Sequence, residues 1–147
     1  MESKHYDTFI GLLYLRCDLD WNIPNKPLHL ALRDIHELLK CEQSIQLSVK
    51  ARDKYKIPKI ERGVGVPKDT TIEHIIPVRH IVKKILKMYL WRGWKDREKI
   101  EEFIEKTFYA VYKLKSERQE EYDAEELIME QFRTEKIKYF NEYTTKR

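Results

Sequence analysis

The sequence predicts an all-α or nearly all-α fold, a compact bundle of five to six helices. Three observations lead there. Apolar residues recur at three- and four-residue steps in one segment after another. Only four glycines and five prolines punctuate the 147 residues, whereas a β-sandwich or barrel needs more turn residues. Lys, Glu, Ile and Leu dominate, and apart from Ile these are good helix formers. The length suits a single helical domain, residues 1–147, able to bury one sizeable core. With 41% hydrophobic residues, apolar burial offsets the entropy of ordering, so disorder is not expected.

The elements follow in order. Tyr6, Phe9, Ile10 and Leu13 share one face of a first helix over about Lys4 to Leu15. The polar segment from Asp18 to Asn25, with Pro24, breaks it. Asn25 is the expected N-cap of a second helix, with Pro27 in its first turn and Leu28, Leu32, Ile35 and Leu39 facing inward as far as about Lys40. Ser44 to Tyr55 is ambiguous: Ile45 and Val49 fit a helix, while Ile45, Leu47 and Val49 fit a strand. Lys56 to Thr71 is irregular, with Pro58, Gly63, Gly65 and Pro67. A short strand or hairpin is expected near residues 57–76, since Thr71 to Ile76 is rich in β-branched residues. Pro77 opens a helix from Val78 to about Trp91, with Val78, Ile81, Val82, Ile85, Leu86 and Tyr89 as its stripe. Gly93 marks a turn, and Asp96 caps a long helix to about Ser116 carrying Ile100, Phe103, Ile104, Phe108 and Val111. A capping box, Asp123 with Glu126, starts the last helix, which carries Ile128, Phe132 and Phe140; the Glu-rich run from Glu117 to Glu130 reads as its exposed start.

Composition excludes several classes. Cys17 and Cys41 are far apart and lack a CxxC partner, so they read as two buried thiols in a reducing compartment. The polar start, Met1 to Asp7, has no basic region followed by an apolar run, and no stretch approaches the length of a membrane span. No membrane is expected as a partner, and the expected location is the cytoplasm of the cell or of a host.

The net charge of +4 is unevenly distributed: residues 1–43 carry −2, residues 44–97 carry +9 and residues 98–147 carry −3. The basic central segment, 44–97, is the clearest global feature. Lys50, Arg52, Lys54, Lys56, Lys59, Arg62 and Lys68 precede residue 73, and Arg79, Lys83, Lys84, Lys87, Arg92, Lys95 and Arg97 follow it. Such density favours contact with phosphates and makes binding salt-dependent. Trp91 and Trp94 flank Arg92; aromatics among cations stack unpaired bases, or else anchor a protein interface. Gly63-Val64-Gly65-Val66-Pro67 lacks the Gly-Lys-Ser/Thr of a phosphate loop.

Glu73-His74-Ile75-Ile76-Pro77 resembles the opening of the His-Me finger (HNH) nuclease motif. The resemblance implies a divalent metal such as Mg²⁺ held with the help of Glu73, and His74 as the general base that activates water. That family continues with an Asn in a loop and an Asn or His some residues later, whereas here no Asn occurs between Asn25 and Asn141. The plainer reading makes His74 a half-buried structural histidine and pairs Glu73 with Arg79 or Lys83. His29 and His36 lie seven apart on one helix, too far for one metal ion, so no zinc site is expected.

The expectation is a small helical binding protein that needs no cofactor and acts through its basic central surface on DNA, RNA or an acidic nucleoprotein or protein face. The composition suits a regulator or inhibitor from a virus or mobile element, and equally an AT-rich or thermophilic genome. Two alternatives stand beside it: a divergent metal-dependent nuclease using Glu73 and His74, and a protein-interaction module docking through Trp91 and Trp94.

Overall fold

The structure, a computed structural model, describes residues 4–92, 96–117 and 130–142. Their order is α1 (Lys4–Leu13), a π-helical turn (Tyr14–Asp18), α2 (Asn25–Glu42), β1 (Ser44–Gln46), α3 (Val49–Tyr55), β2 (Lys59–Glu61), β3 (Thr70–His74), α4 (Val78–Arg92), α5 (Arg97–Thr107), β4 (Ala110–Leu114) and α6 (Glu130–Glu142). The fold is mostly helical, as the periodicity predicts, but it is not purely so. Among the described residues four short strands form two antiparallel pairs, β1 with β2 and β3 with β4.

The helices lie where their apolar stripes demand. Tyr6, Phe9 and Leu13 of α1 pack against Leu28, Leu32, Ile35 and Leu39 of α2, and all are essentially inaccessible. Ile81, Val82 and Ile85 of α4 and Ile100, Phe103 and Ile104 of α5 join the same core. Each such side chain contributes on the order of 1.5–3 kcal/mol by leaving water. Asp96 caps α5 as expected, its carboxylate accepting from the Glu98 N–H at 2.9 Å. The first helix ends two residues early, in a π-turn closed by Leu19 N–H to the Tyr14 carbonyl. At the start of α2, Asn25 makes no capping bond; its side chain accepts from Arg16 instead, at 2.5 Å.

The ambiguous stretch contains both structures. Ile45 pairs with Ile60 across β1 and β2, both buried, and the chain then turns into α3. Ser48 makes that switch: its hydroxyl accepts from Ala51 N–H and donates to Glu117 at 2.5 Å. Lys56 ends α3 in the left-handed region, and Gly63 and Gly65 take positive φ in the loop that follows β2.

The long helix expected to reach Ser116 stops at Thr107. Residues 108–112, Phe-Tyr-Ala-Val-Tyr, are all buried, and Ala110–Leu114 pairs with β3 from Thr70↔Leu114 to His74↔Ala110. A strand covered on both faces shows no alternation. Phe108 and Val111 also continue the helical spacing of Phe103 and Ile104, which is why the two states look alike in sequence. The strand expected near residues 57–76 is present as β2 and β3, but β3 finds its partner beyond α5 rather than in a local hairpin.

Glu117 is not the exposed start of the last helix. It is 6% exposed and accepts from both Ser48 Oγ and Leu114 N–H, clasping the end of β4 to the start of α3. The cysteines also depart from expectation: Cys17 is half-buried and Cys41, near the end of α2, is exposed. The Gly93 turn, the Asp123–Glu126 capping box and Ile128 lie outside the described residues, as does the Phe132 side chain.

Ser48→Ala removes the cap of α3 and one hydrogen bond to a buried carboxylate. Urea unfolding is expected to show a loss of about 2 kcal/mol, the sum of a cap and a charge-assisted bond.

Candidate functional site

α4 is held at both ends. β3 leads into it through Ile75, whose N–H bonds to the Tyr109 carbonyl, and through Pro77, whose carbonyl accepts from His80 and Ile81. Toward its other end the Tyr89 hydroxyl donates to Asp18 at 2.8 Å, tying α4 to the π-turn; burial and this bond push the phenol's pKa up. The outward side of α4 thereby faces Arg16 of the turn and Asn25 and His29 at the start of α2.

Between them lies a half-open cleft of about 590 Å³. Arg79, His80, Val82, Lys83, Leu86, Lys87 and Leu90 line it from α4, and Arg16, Asn25 and His29 line it from the opposite side. Two arginines, two lysines and two histidines meet there, and among the described residues no carboxylate lines the cleft. Among the described residues neither Arg79 nor Lys83 has an ion-pair partner. Arg79, Lys83 and Lys87 stand at four-residue steps, the spacing at which like charges repel along a helix. A cleft lined by one sign of charge concentrates its field and draws in counter-charge.

The basic block of the sequence is divided by the fold. None of residues 50–62 lines the cleft. Lys54 pairs with Asp69 at 2.6 Å and Lys59 with Glu61 at 3.2 Å. Tyr55 also donates to Asp69, whose carboxyl is held low, chiefly by these two bonds. Lys50, Lys56 and Arg62 are exposed and Arg52 is half-buried on this separate region. The side chains of Trp91, Arg92, Trp94 and Lys95 lie outside the described residues.

Lys84 requires a correction of another kind, because it is not part of the solvated basic face. It is 9% exposed; its ammonium donates to the Phe140 carbonyl at 3.1 Å and sits 4.4 Å from that ring's centroid. Burial, with Lys87 nearby, brings its pKa down to about 8. Lys136 makes the reciprocal contact, donating to the Phe108 carbonyl at 2.8 Å, so two lysines clasp α6 to the body.

Glu73 and His74 end β3, and the register there is regular with no bulge, so they point to opposite faces. Glu73 pairs with Lys113 at 3.4 Å, not with Arg79 or Lys83. His74 stacks on His36 of α2, ring centroids 5.1 Å apart at 19°, and both rings pack on Phe108. Both ring nitrogens of His36 and Nδ1 of His74 are buried and without hydrogen-bond partners. Burial, with His74 alongside, lowers His36 to about 3, and burial lowers His74 as well. His80 does not join His74; it is exposed in the cleft. Among the described residues no three His, Cys, Asp or Glu side chains are placed to hold a metal ion, so the donor set does not fit the metal that the nuclease motif implies.

Arg16, Asn25 and His29 are the residues that reading along the chain misses. They lie in the net-acidic first segment, and only the packing of α2 on α4, with the Tyr89–Asp18 bond, carries them to the basic side.

Two outcomes follow for stability. His36 is neutral in the folded state down to about pH 3, while the unfolded chain takes up a proton near pH 6.5. Stability is therefore full above pH 6.5 and falls as pH drops toward 3, by up to about 1.4 kcal/mol per pH unit for this group; chemical denaturation across that range should show a shallower fall in His36→Leu. On α4, Lys84→Glu is expected to cost about 2–4 kcal/mol in thermal unfolding, because it sets a carboxylate against a carbonyl in a buried place, whereas Lys83→Glu should stay within about 0.5 kcal/mol. Comparison with known protein families, characterised proteins and solved structures finds no match to this chain.

Proposed function

We propose that the protein is a small binding module that grips nucleic acid through the cleft between α4 and the α1–α2 connection. The observation that carries this reading is the cleft's lining: Arg16, Arg79, Lys83 and Lys87 with two histidines and, among the described residues, no carboxylate. Gathering like charges costs free energy in the unliganded protein, and an anion recovers it. Phosphates spaced along a backbone would engage several of the cations at once, and each contact would release condensed counterions. Activity by contact alone, without bond-making, accords with the placement of Glu73 and His74. One is salt-bridged on the sheet and the other is stacked in the interior.

Titrating a labelled oligonucleotide between about 50 and 200 mM salt should give a steep linear dependence of log K on log salt. The double substitution Arg79→Glu, Lys83→Glu should weaken binding by at least tenfold and reduce the slope by about two, one per phosphate contact removed. It should leave the melting temperature nearly unchanged, since both side chains are exposed. Equal binding by the double variant would sink the proposal. So would binding to an acidic protein but to no oligonucleotide. Mg²⁺-dependent cleavage that disappears in His74→Ala would replace it with the nuclease reading.

A further inference from the structure

α4 carries two ladders into the cleft, and only one of them is cationic. Arg79, Lys83 and Lys87 form the first; Val82, Leu86 and Leu90 form the second. Each repeats every four residues, so its rungs rise in steps of about 6 Å along the helix. Each apolar rung follows a cation by three residues, which makes the two neighbours on the helix surface. The second ladder emerges gradually: Val82 is buried, Leu86 half-buried and Leu90 56% exposed.

A ligand made only of phosphate has no use for the apolar ladder, because an ion pressed against leucine loses hydration without a replacement bond. Duplex nucleic acid has the same shortcoming. Its bases are stacked within, and it offers phosphates and groove edges. Unpaired nucleotides offer phosphates and base faces side by side, and every base has an apolar face. A half-open cleft of about 590 Å³ also falls within the usual size of a ligand pocket, about 300–1,000 Å³, rather than being a broad flat surface.

We propose that the cleft selects single-stranded over double-stranded nucleic acid, seating phosphates on Arg79, Lys83 and Lys87 and base faces on Leu86 and Leu90. This rests on the reading of the cleft as a nucleic-acid site and adds which form it takes. The Leu90 rung is the most accessible and contributes without regard to salt. The cationic rungs carry the salt dependence.

Fluorescence anisotropy on the full chain tests it with three probes: labelled oligothymidylate, an A·T duplex of the same length, and inorganic polyphosphate as competitor. The single strand should bind at least tenfold more tightly than the duplex. Leu90→Ser should weaken single-strand binding several-fold with its salt slope unchanged, leaving duplex and polyphosphate binding as they were. Leu90→Trp should strengthen single-strand binding several-fold by offering a stacking surface. If the duplex binds as tightly as the strand, or if both Leu90 variants match wild type, the single-strand assignment falls while the cationic reading stands. If none of the three polyanions binds, both fall.

Discussion

The pairing of Thr70–His74 with Ala110–Leu114 is the constraint on which the rest of the arrangement depends. It joins two segments separated by both α4 and α5, and so closes those helices into one loop of structure. β4 serves other neighbours as well. Leu47 forms a bridge to Tyr112, and Ser48 N–H bonds to the Tyr112 carbonyl, so the short β1–α3 unit hangs on the same strand. Ile75 continues the pairing to Tyr109 and delivers the chain to Pro77 at a fixed angle. Closing a loop of this length is entropically unfavourable, and burial of Phe108 through Tyr112 offsets it.

With its start fixed by the sheet and its far end tied by Tyr89 to Asp18, α4 has little freedom to rotate. Its sides then have distinct tasks. Ile81, Val82 and Ile85 are sealed in the core, Lys84 reaches α6, and Arg79, Lys83 and Lys87 look out across the cleft toward Arg16. The histidine pair belongs to the same scheme. His74 ends β3, and its ring fills the space between that strand, α2 and Phe108, where a neutral aromatic packs well and a charged one does not.

Helices α1, α2, α4 and α5 were legible because their stripes and the Asp96 cap follow local rules that tertiary contacts did not override; α3 was not, because Ile45, Leu47 and Val49 fit a strand as well as a helix. β4 was not, since Phe108 and Val111 satisfy helical spacing and strand burial alike. Lys84 was legible in principle: it stands three residues after Ile81 and four before Met88, hence on the inward side. Counting it with the surface charges ignored that geometry. One wall of the cleft was beyond reach, because charge summed along the chain assigns Arg16 and His29 to a net-acidic stretch, and only the packing of α2 on α4 returns them to a basic one. Glu117 was misplaced for a related reason. A glutamate beside other glutamates looks solvated until Ser48, far away in sequence, is seen to donate to it.

The seat of Lys84 bears on how the molecule reacts with amine-directed reagents. A pKa near 8 leaves far more of this amine neutral at mild alkalinity than an ordinary lysine has, and the neutral form is the nucleophile. Yet its nitrogen is also engaged by the ring and carbonyl of Phe140, so acylation competes with the contact that seats α6. Chemistry at this one nitrogen is thereby coupled to the seating of α6, and its rate relative to that of the exposed Lys83 reports how firmly that helix is held.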